Sequence, residues 1–419
     1  MVIPTIIFLA VYLLIISEKL NRVVAALSGA SLMLLFKFIS QQEAFLKIDF
    51  NTIGLLVSMM IIVNITKRSG VFEYVAIKAA KLSKGNPITL LVVFSLITFI
   101  FSALLDNVTT VLLLVPVTLV VTKTLNTNPI PFLMSEILSS NIGGTATLIG
   151  DPPNIMIGSA ANLTFMDFII NLSPIVIVIF IVNILLIKYI YKKDVHTTEE
   201  KKQIVMNLDE SKTITDKVLL KKSLIVLAFT FLGFLLHGFL GFDSSTVAIV
   251  GSSILLLISK TDPEEILQEV EWGTLFFFIG LFIMTGVLEK VGLMNLLATK
   301  ALSLTKGNLL FSSILVLWIS AIASSFIDNI PFVATMIPLI KVMSIVGHMN
   351  VLPLWLALSL GSCLGGNGTI VGASANLIVI GIAGKSGHTI TFKDYFRVGF
   401  PLMLTSICIS TVYLLVFYL

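Results

Sequence analysis

An internal duplication constrains the fold of this chain more than any other feature of its sequence. Residues 328–338, DNIPFVATMIP, repeat residues 106–116, DNVTTVLLLVP, at an offset of 222 residues. Without a gap, the same offset also aligns special residues, as in the pairs Gly29 and Gly251, Pro131 and Pro353, and Asn154 and Asn376. Self-similarity over this length indicates two copies of one structural unit. We place the copies at residues 1–190 and 223–419, separated by a polar linker at 191–222 that we expect to be solvated.

Each copy consists mainly of apolar runs of 13 to 16 residues, which recur along the whole chain. The composition is 57% hydrophobic and 12% charged, with a mean hydropathy of +1.05, and a water-soluble protein of this size could not bury that much apolar surface. With their flanks, the runs approach the roughly 20 residues that cross about 30 Å of hydrocarbon. The lipid bilayer is therefore the solvent for most of the chain.

Composition and spacing also exclude several classes of function. The basic residues, which give a net charge of +4, lie in short loops between apolar runs, a pattern typical of membrane topology and not of nucleic-acid binding. Cys363 and Cys408 have no CxxC spacing, so the sequence indicates neither a disulfide framework nor a zinc site. Because we find no nucleophile–base pair and no metal-ligand spacing, we expect neither an enzyme nor a bound cofactor.

An Asp-Asn pair interrupts a long apolar segment in each copy, at Asp106-Asn107 and at Asp328-Asn329. A charged group in the middle of hydrocarbon is costly, and backbone that leaves the helix there must be satisfied by protein or water. We therefore interpret residues 87–123 and 309–341 as re-entrant hairpins with these pairs at their tips. A hairpin returns to its own side of the membrane, which leaves five crossings per copy. An odd number of crossings requires the second copy to be inverted.

The predicted fold class is thus an all-α polytopic membrane protein. It has two inverted repeats of five transmembrane helices each, plus a re-entrant hairpin and an unwound helix per repeat. With the linker inside the cell, the short inner loops contain twelve Lys and Arg residues and the outer loops six. Positive charge favours the cytoplasmic side. We therefore expect a multi-pass protein of the inner (cell) membrane, with a cytoplasmic linker and both termini outside.

Paired interrupted helices in inverted repeats are typical of a transport site at the midplane of the membrane, where the copies meet. Glycines allow the backbone to unwind and present carbonyl groups, which together with Asn and Thr side chains suit Na⁺, with Asn107 and Asn329 as possible ligands. The alternative for the glycines is close helix packing. The candidate ion- or substrate-binding residues are Asp106, Asn107, Thr109, Thr110, Gly143, Gly144, Thr145, Thr147, Asp151, Asn154, Asp328, Asn329, Gly365, Gly366, Asn367, Thr369 and Asn376.

Three carboxylates are candidates for proton coupling, because ionisable residues inside a membrane usually have a function. Asp106 and Asp328 are two of them, although both can also cap the helices that follow the hairpin tips. Glu136 is the third, and its alternative role is to bind a nearby polar group. Asp151 is unpaired, because copy two has Ala373 at that position. We expect His237, alone in an apolar span, to be a buried structural residue and not a metal ligand.

Four strings carry a family resemblance: LDNVTTVLLLVPVTL at 105–119, NIGGTATLIGDPPN at 141–154, EWGTLFFFIGLFIM at 271–284 and DNIPFVATMIP at 328–338. They resemble the ion transporter superfamily, in the branch that includes NhaD-type sodium/proton antiporters, arsenite permeases and the melanosomal P protein. The related divalent anion/sodium symporters carry Ser-Asn-Thr at the hairpin tips, where this chain has Asp-Asn, which argues against sodium-driven dicarboxylate uptake.

The resemblance implies a scaffold domain, a moving transport domain, elevator-like movement and a homodimer. It also implies two ion sites, the first lined by Asp106, Asn107, Gly143, Gly144 and Asn154, and the second by Asp328, Asn329, Gly365, Gly366, Thr369 and Asn376. The leading hypothesis is a secondary transporter that exchanges Na⁺ or a related cation for H⁺. The alternatives are a proton- or sodium-coupled permease for citrate-like carboxylates, arsenite or another oxyanion, and a passive channel. The expected partners are a small inorganic ion or small anion.

Overall fold

The computed structural model describes residues 1–17, 19–347 and 350–419. The first part of the chain forms helices α1 Val2–Ser17, α2 Arg22–Leu35, α3 Gln41–Lys47, α4 Phe50–Lys67, α5 Val71–Leu82, α6 Pro87–Leu104, α7 Asn107–Thr124, α8 Ile130–Thr145, α9 Pro152–Ala161, α10 Phe165–Asn171 and α11 Ser173–Tyr191. A short helix, α12 Glu199–Met206, and a 3₁₀ turn, Glu210–Thr213, follow. The second part forms α13 Lys217–Leu240, α14 Ser244–Ser259, α15 Pro263–Gln268, α16 Trp272–Lys290, α17 Leu293–Thr305, α18 Leu309–Phe326, α19 Asn329–Gly347, α20 Leu352–Gly365, α21 Ser374–Lys385 and α22 Phe392–Phe417.

These described residues are helical and include no strand, as the sequence predicts. Nine of their helices are long and apolar enough to cross a membrane, and α1, α2, α14, α20 and α21 are shorter apolar helices. Apart from the earlier start of α13, helices α13–α21 begin and end close to the bounds of α1–α9 shifted by the offset of the duplication. In the second part a single helix, α22, replaces the pair α10 and α11.

The hairpins begin and turn where their caps dictate. Asn86 accepts hydrogen bonds from the backbone N–H groups of the first turn of α6, and Asn308 does the same for α18. Both asparagines follow a glycine with a left-handed backbone, Gly85 (φ 66°) and Gly307 (φ 63°). Each first arm then ends shortly before the Asp-Asn pair, and the second arm begins at the Asn. The breaks therefore lie where the sequence predicts the hairpin tips.

The helices form two groups. The frame consists of α1–α4 and α13–α16, in which α4 packs on α14 and α2 packs on α16. The body consists of α6–α11 and α18–α22, in which α8 packs on α6, α20 packs on α18, and α8 and α20 meet each other. Helices α5 and α17 connect frame to body in their respective copies. Helix α4 is equivalent to α16, and α2 is equivalent to α14. The contact between α4 and α14 is therefore equivalent to the contact between α16 and α2, and the two copies contribute to the fold in the same way.

Most linker residues are exposed or half-buried, and the linker also packs on α5 and α7. Val195 and Val205 are buried there, and Thr197 donates to the carbonyl of Leu125. The Nζ atom of Lys81 lies 2.6 Å from a carboxylate oxygen of Glu210, which lowers the pKa of that carboxyl. The polar composition concealed these few buried apolar side chains. Helix α13 also begins at residue 217, ahead of the predicted boundary at 223.

Candidate ion-binding site

The two hairpin tips begin their second arms in the same way. Asp106 precedes α7 and accepts a hydrogen bond from the backbone N–H of Thr109 at 2.7 Å. Asp328 precedes α19 and accepts one from the backbone N–H of Ile330 at 3.2 Å. The capping role expected for both aspartates is therefore present. It leaves the second carboxylate oxygen of each residue available for another partner.

Asp151 is the carboxylate that both tips contact. The amide nitrogen of Asn107 lies 3.3 Å from its Oδ1 atom, and the amide nitrogen of Asn329 lies 3.2 Å from its Oδ2 atom. All three side chains are at most 4% exposed. One acidic group, present in only one copy, thus bridges the equivalent asparagines of both copies.

Asn141, which the sequence analysis did not select, extends this network. Its amide nitrogen donates to the side-chain oxygens of Asn367 and Asn376, both at 2.9 Å, and its oxygen accepts from Asn107 at 3.3 Å. The sequence did contain a signal, because an asparagine in an apolar helix must find a polar partner. In copy two the equivalent residue is Cys363, whose Sγ atom lies 3.5 Å from the amide oxygen of Asn154.

Two asparagines donate hydrogen bonds to the backbone carbonyls of the helix breaks. The amide nitrogen of Asn154 donates to the carbonyls of Gly144, Thr145 and Thr147 at 2.9–3.2 Å. The equivalent Asn376 donates to the carbonyls of Gly366 and Thr369 at 2.8 and 3.0 Å. Carbonyl groups released from helical bonding are thereby paired with side-chain amides. Each break is thus held by an asparagine from the helix that follows it.

The threonines that the sequence predicts to bind an ion or substrate have different hydrogen-bond partners. Thr147 donates to the carbonyl of Ala103 and Thr369 to that of Ser325, so each joins a break to a hairpin. Thr145 bonds within its own helix, to the carbonyl of Asn141. Thr109 is half-buried at the first tip. Thr110 is buried, and its hydroxyl has no hydrogen-bond partner among the described residues.

The glycines before the breaks allow close packing. A Cβ atom at Gly143 would lie 2.2 Å from the carbonyl oxygen of Phe99, and one at Gly365 would lie 2.6 Å from that of Ala321. A Cβ atom at Gly144 would lie 2.6 Å from the carbonyl oxygen of Gly150, and one at Gly366 would have more room, with its nearest neighbours at 3.2 Å. The packing role left open for these glycines is therefore present, and it presses each broken helix against its hairpin.

An arginine forms an ion pair with the aspartate of the second tip. The Nη1 atom of Arg22, at the start of α2, lies 3.0 Å from the Oδ2 atom of Asp328 and 2.5 Å from the hydroxyl of Ser374. In the sequence, Arg22 is one of the twelve basic residues assigned to the short inner loops. Only the packing of α2 near the tip brings the two charges together. Among the described residues Asp106 has no such cationic partner.

A cavity of about 60 Å³ lies between the tips, next to Asp151. Its charged lining comprises Asp106, Asp151 and Glu271, which are acidic, and Arg22, which is basic. A cavity with this excess of negative charge attracts cations. In the described part of the chain, no group of three His, Cys, Asp or Glu side chains is close enough to hold a metal ion. The polar residues next to an ion here would be isolated carboxylates and the two asparagines Asn107 and Asn329.

Two residues considered in the sequence analysis lie outside this network. Glu136 is 1% exposed and accepts a hydrogen bond from the hydroxyl of Thr118, which matches the second of its two suggested roles. Its other carboxylate oxygen has no partner among the described residues. His237 is buried and accepts from the backbone N–H of Phe165 at 3.1 Å, while its other ring nitrogen faces the carbonyl of Phe242. It is a structural residue, as expected.

Comparisons with known proteins identify relatives along the whole chain. The model of the citrate transporter family, CitMHS, matches residues 12–361. A 46 kDa membrane protein of Mycobacterium leprae is 43% identical over 424 residues, covering 100% of this chain and 99% of that protein. An uncharacterized transporter of Mycobacterium tuberculosis is 44% identical over 421 residues, covering 99% of this chain and 97% of that protein.

Two further relatives are more distant. The P protein of Homo sapiens is 35% identical over 498 residues, which cover 99% of this chain and 59% of that protein. The crystal structure of the YdaH transporter of Alcanivorax borkumensis matches with a TM-score of 0.58 at 15% identity, covering 87% of this chain and 85% of that one. This likeness is one of fold.

Proposed function

Since the chain belongs to the citrate transporter family, CitMHS, it is a membrane transporter, and we propose that it exchanges Na⁺ or a related monovalent cation for protons. The family membership and the similarity to P protein confirm the resemblance inferred from the hairpin-tip and glycine-break strings. The names of the family and of the Mycobacterium tuberculosis relative describe transporters.

The proposal rests on the charge of the cavity between the hairpin tips. Three acidic side chains and one basic side chain line it. Asp151 accepts a hydrogen bond from a side-chain amide of each hairpin tip. A polyanion would meet net repulsion in such a space, whereas a cation finds carboxylate oxygens there, with Asn107 and Asn329 beside them. This observation favours cation transport over anion transport.

The same carboxylates provide the coupling. A carboxylate oxygen that binds a proton is no longer an anionic ligand, so proton and cation compete for Asp106 and Asp151. Competition at one site converts an inward proton gradient into outward cation movement, provided that the site opens to one side at a time. Glu271, at the start of α16, adds to the negative charge at the rim.

The division into frame and body supports an elevator-like movement. The body contains both hairpins and both broken helices, and α5 and α17 join it to the frame. We propose that the body slides against the frame, that the frame helices form a homodimer, and that the protein lies in the cell membrane with its linker in the cytoplasm and both termini outside. A single subunit in native mass measurements from nanodiscs would contradict the dimer.

The function is tested with purified protein in liposomes that contain a pH-sensitive dye. We expect external NaCl to raise the internal pH, LiCl or KCl to act more weakly, and choline chloride, the control, to have no effect. Asp262→Asn, which changes an exposed helix cap in the frame, should behave as the wild type. If no cation changes the internal pH, the proposal is wrong.

A second arm of the same experiment tests the anion named by the family. Labelled citrate is supplied to the same liposomes under a proton gradient and under a sodium gradient. We expect no uptake above that of empty liposomes. Citrate uptake without any cation-induced pH change would identify an anion permease, and a cation conductance without proton movement would identify a channel.

A further inference from the structure

Arg22 joins the frame to the body at the second hairpin tip. It is the first residue of α2, whereas Asp328 precedes α19 and Ser374 is the first residue of α21. The Nη1 atom of Arg22 lies 3.0 Å from Asp328 Oδ2 and 2.5 Å from Ser374 Oγ. The Ser374 hydroxyl in turn donates to the same Oδ2 atom at 2.6 Å. The three groups form a closed set of contacts across the boundary between frame and body.

The surroundings screen this ion pair from solvent more than they would an exposed pair on the surface. The guanidinium of Arg22 lies over the ring of Phe277, 5.3 Å from its centroid, and the side chains of Arg22 and Asp328 are 33% and 14% exposed. Partly buried charges are screened less by salt than exposed ones. The other charged groups that line the neighbouring cavity in the described structure are Asp106, Asp151 and Glu271, which are all acidic and add to the negative potential around the guanidinium.

The contact exists at only one of the two hairpin tips. At the offset of the duplication, Ser244 occupies the position equivalent to Arg22, and Pro152 occupies the position equivalent to Ser374. Neither can supply a cation to Asp106. The two hairpin tips therefore have the same aspartate but different surroundings: Asp106 is open to an incoming cation, and Asp328 is already paired with a cation that belongs to the protein.

We propose that Arg22 is a latch, which holds the body to the frame while Asp328 carries no transported ion. This inference rests on the proposed exchange function. An exchanger works only if its empty body does not cross the membrane, because such a crossing would let the cation gradient dissipate without proton movement. A cation or proton that binds Asp328 displaces Arg22, and the body can then move. Arg22 is a positioning residue that enforces coupling.

The test measures escape of the cation without a counter-ion. Liposomes are loaded with ²²Na⁺ and transferred to sodium-free choline buffer at alkaline pH, with the membrane voltage clamped by potassium and valinomycin. The wild type should lose ²²Na⁺ slowly, and faster after external Na⁺ is added or the medium is acidified. In Arg22→Gln we expect the loss without counter-ion to rise about threefold or more, since a partly exposed ion pair contributes modestly.

Three variants separate the latch from a general effect of charge or folding. Arg22→Lys retains the positive charge and should restore most of the coupling. Lys19→Gln removes an exposed neighbouring charge and should leave the slow loss unchanged. Ser374→Ala removes the hydroxyl shared by both partners and should give a smaller increase in the loss.

The outcomes distinguish the latch from the function on which it rests. If the wild type exchanges Na⁺ for H⁺ and Arg22→Gln does so with the same slow uncoupled loss, the latch is wrong and the exchange function stands. If the wild type shows no exchange, the proposed function itself fails. If Arg22→Gln does not fold, Ser374→Ala decides, and an uncoupled loss equal to that of the wild type overturns the latch.

Discussion

At the scale of single residues, Asp151 is the group on which the two copies converge. It binds Asn107 from the first tip and Asn329 from the second, although it has no acidic counterpart in copy two. A chain with two similar halves thus has one acidic side chain that contacts both hairpin tips. An ion at this position would be shared between the hairpins, and its binding would report on the position of both.

We predict that Asp151→Asn folds but loses cation binding. The amide keeps the size of the carboxyl group and removes its charge, so the apparent affinity for Na⁺ should fall at least about tenfold, which corresponds to about 1.4 kcal/mol. The measurement is the Na⁺ dependence of proton release from liposomes. Asp262→Asn is the matched control. An unchanged Na⁺ dependence would remove Asp151 from the site.

Asp106→Asn should also fold, because asparagine caps a helix about as well as aspartate. We expect weaker coupled transport with a changed pH profile, because a group that can bind a proton has been replaced by one that cannot. Glu136→Gln, which changes a carboxyl bonded to Thr118 and away from the cavity, should retain the wild-type profile. The opposite pattern would move the coupling role to Glu136.

At the scale of helices, the sequence predicted the tips and breaks because they depend on local chemistry: an Asp-Asn pair caps a helix, and a run of glycines and prolines ends one. It did not predict the partner of Asp328, because Arg22 lies more than 300 residues away and resembles an ordinary loop cation. It also missed the packing of the linker, where a few buried valines are surrounded by charged residues. Contacts of this kind depend on the arrangement of helices.

The close packing of broken helix on hairpin can be tested with one methyl group. Gly143→Ala and Gly365→Ala each place a Cβ atom within 2.6 Å of a backbone carbonyl oxygen on the neighbouring helix. We expect each change to destabilise the fold by about 1–3 kcal/mol and to lower the thermal unfolding temperature in detergent. Gly381→Ala is the control, because nothing lies within 4 Å of its added Cβ atom. Equal unfolding temperatures for all three variants would contradict this packing.

At the scale of the whole molecule, the repeated order of the helices follows from the duplication, and the frame pairs exchange when the copies are exchanged. The sequence predicted this order because the offset is constant across the apolar runs. The orientation of each copy in the membrane is a separate prediction, which depends on the distribution of positive charge and on the odd number of crossings.

Cysteine labelling tests that orientation. In a Cys408→Ser background, which removes the exposed cysteine, single cysteines at residue 201 and at residue 162 are treated with an impermeant thiol reagent on whole cells. We expect the linker position to react only after the cells are opened and the residue 162 position to react from outside. The reverse pattern would overturn the predicted topology.

The central claim is that a cation and a proton compete for the carboxylates between the hairpin tips. The most direct test is equilibrium binding of ²²Na⁺ to the purified protein over a range of pH. Competition by one proton predicts that, on the acid side, the apparent Kd for Na⁺ rises about tenfold for each unit of falling pH, and that Asp151→Asn abolishes this dependence. Binding of Na⁺ with the same Kd at every pH, or no binding at all, would contradict the account.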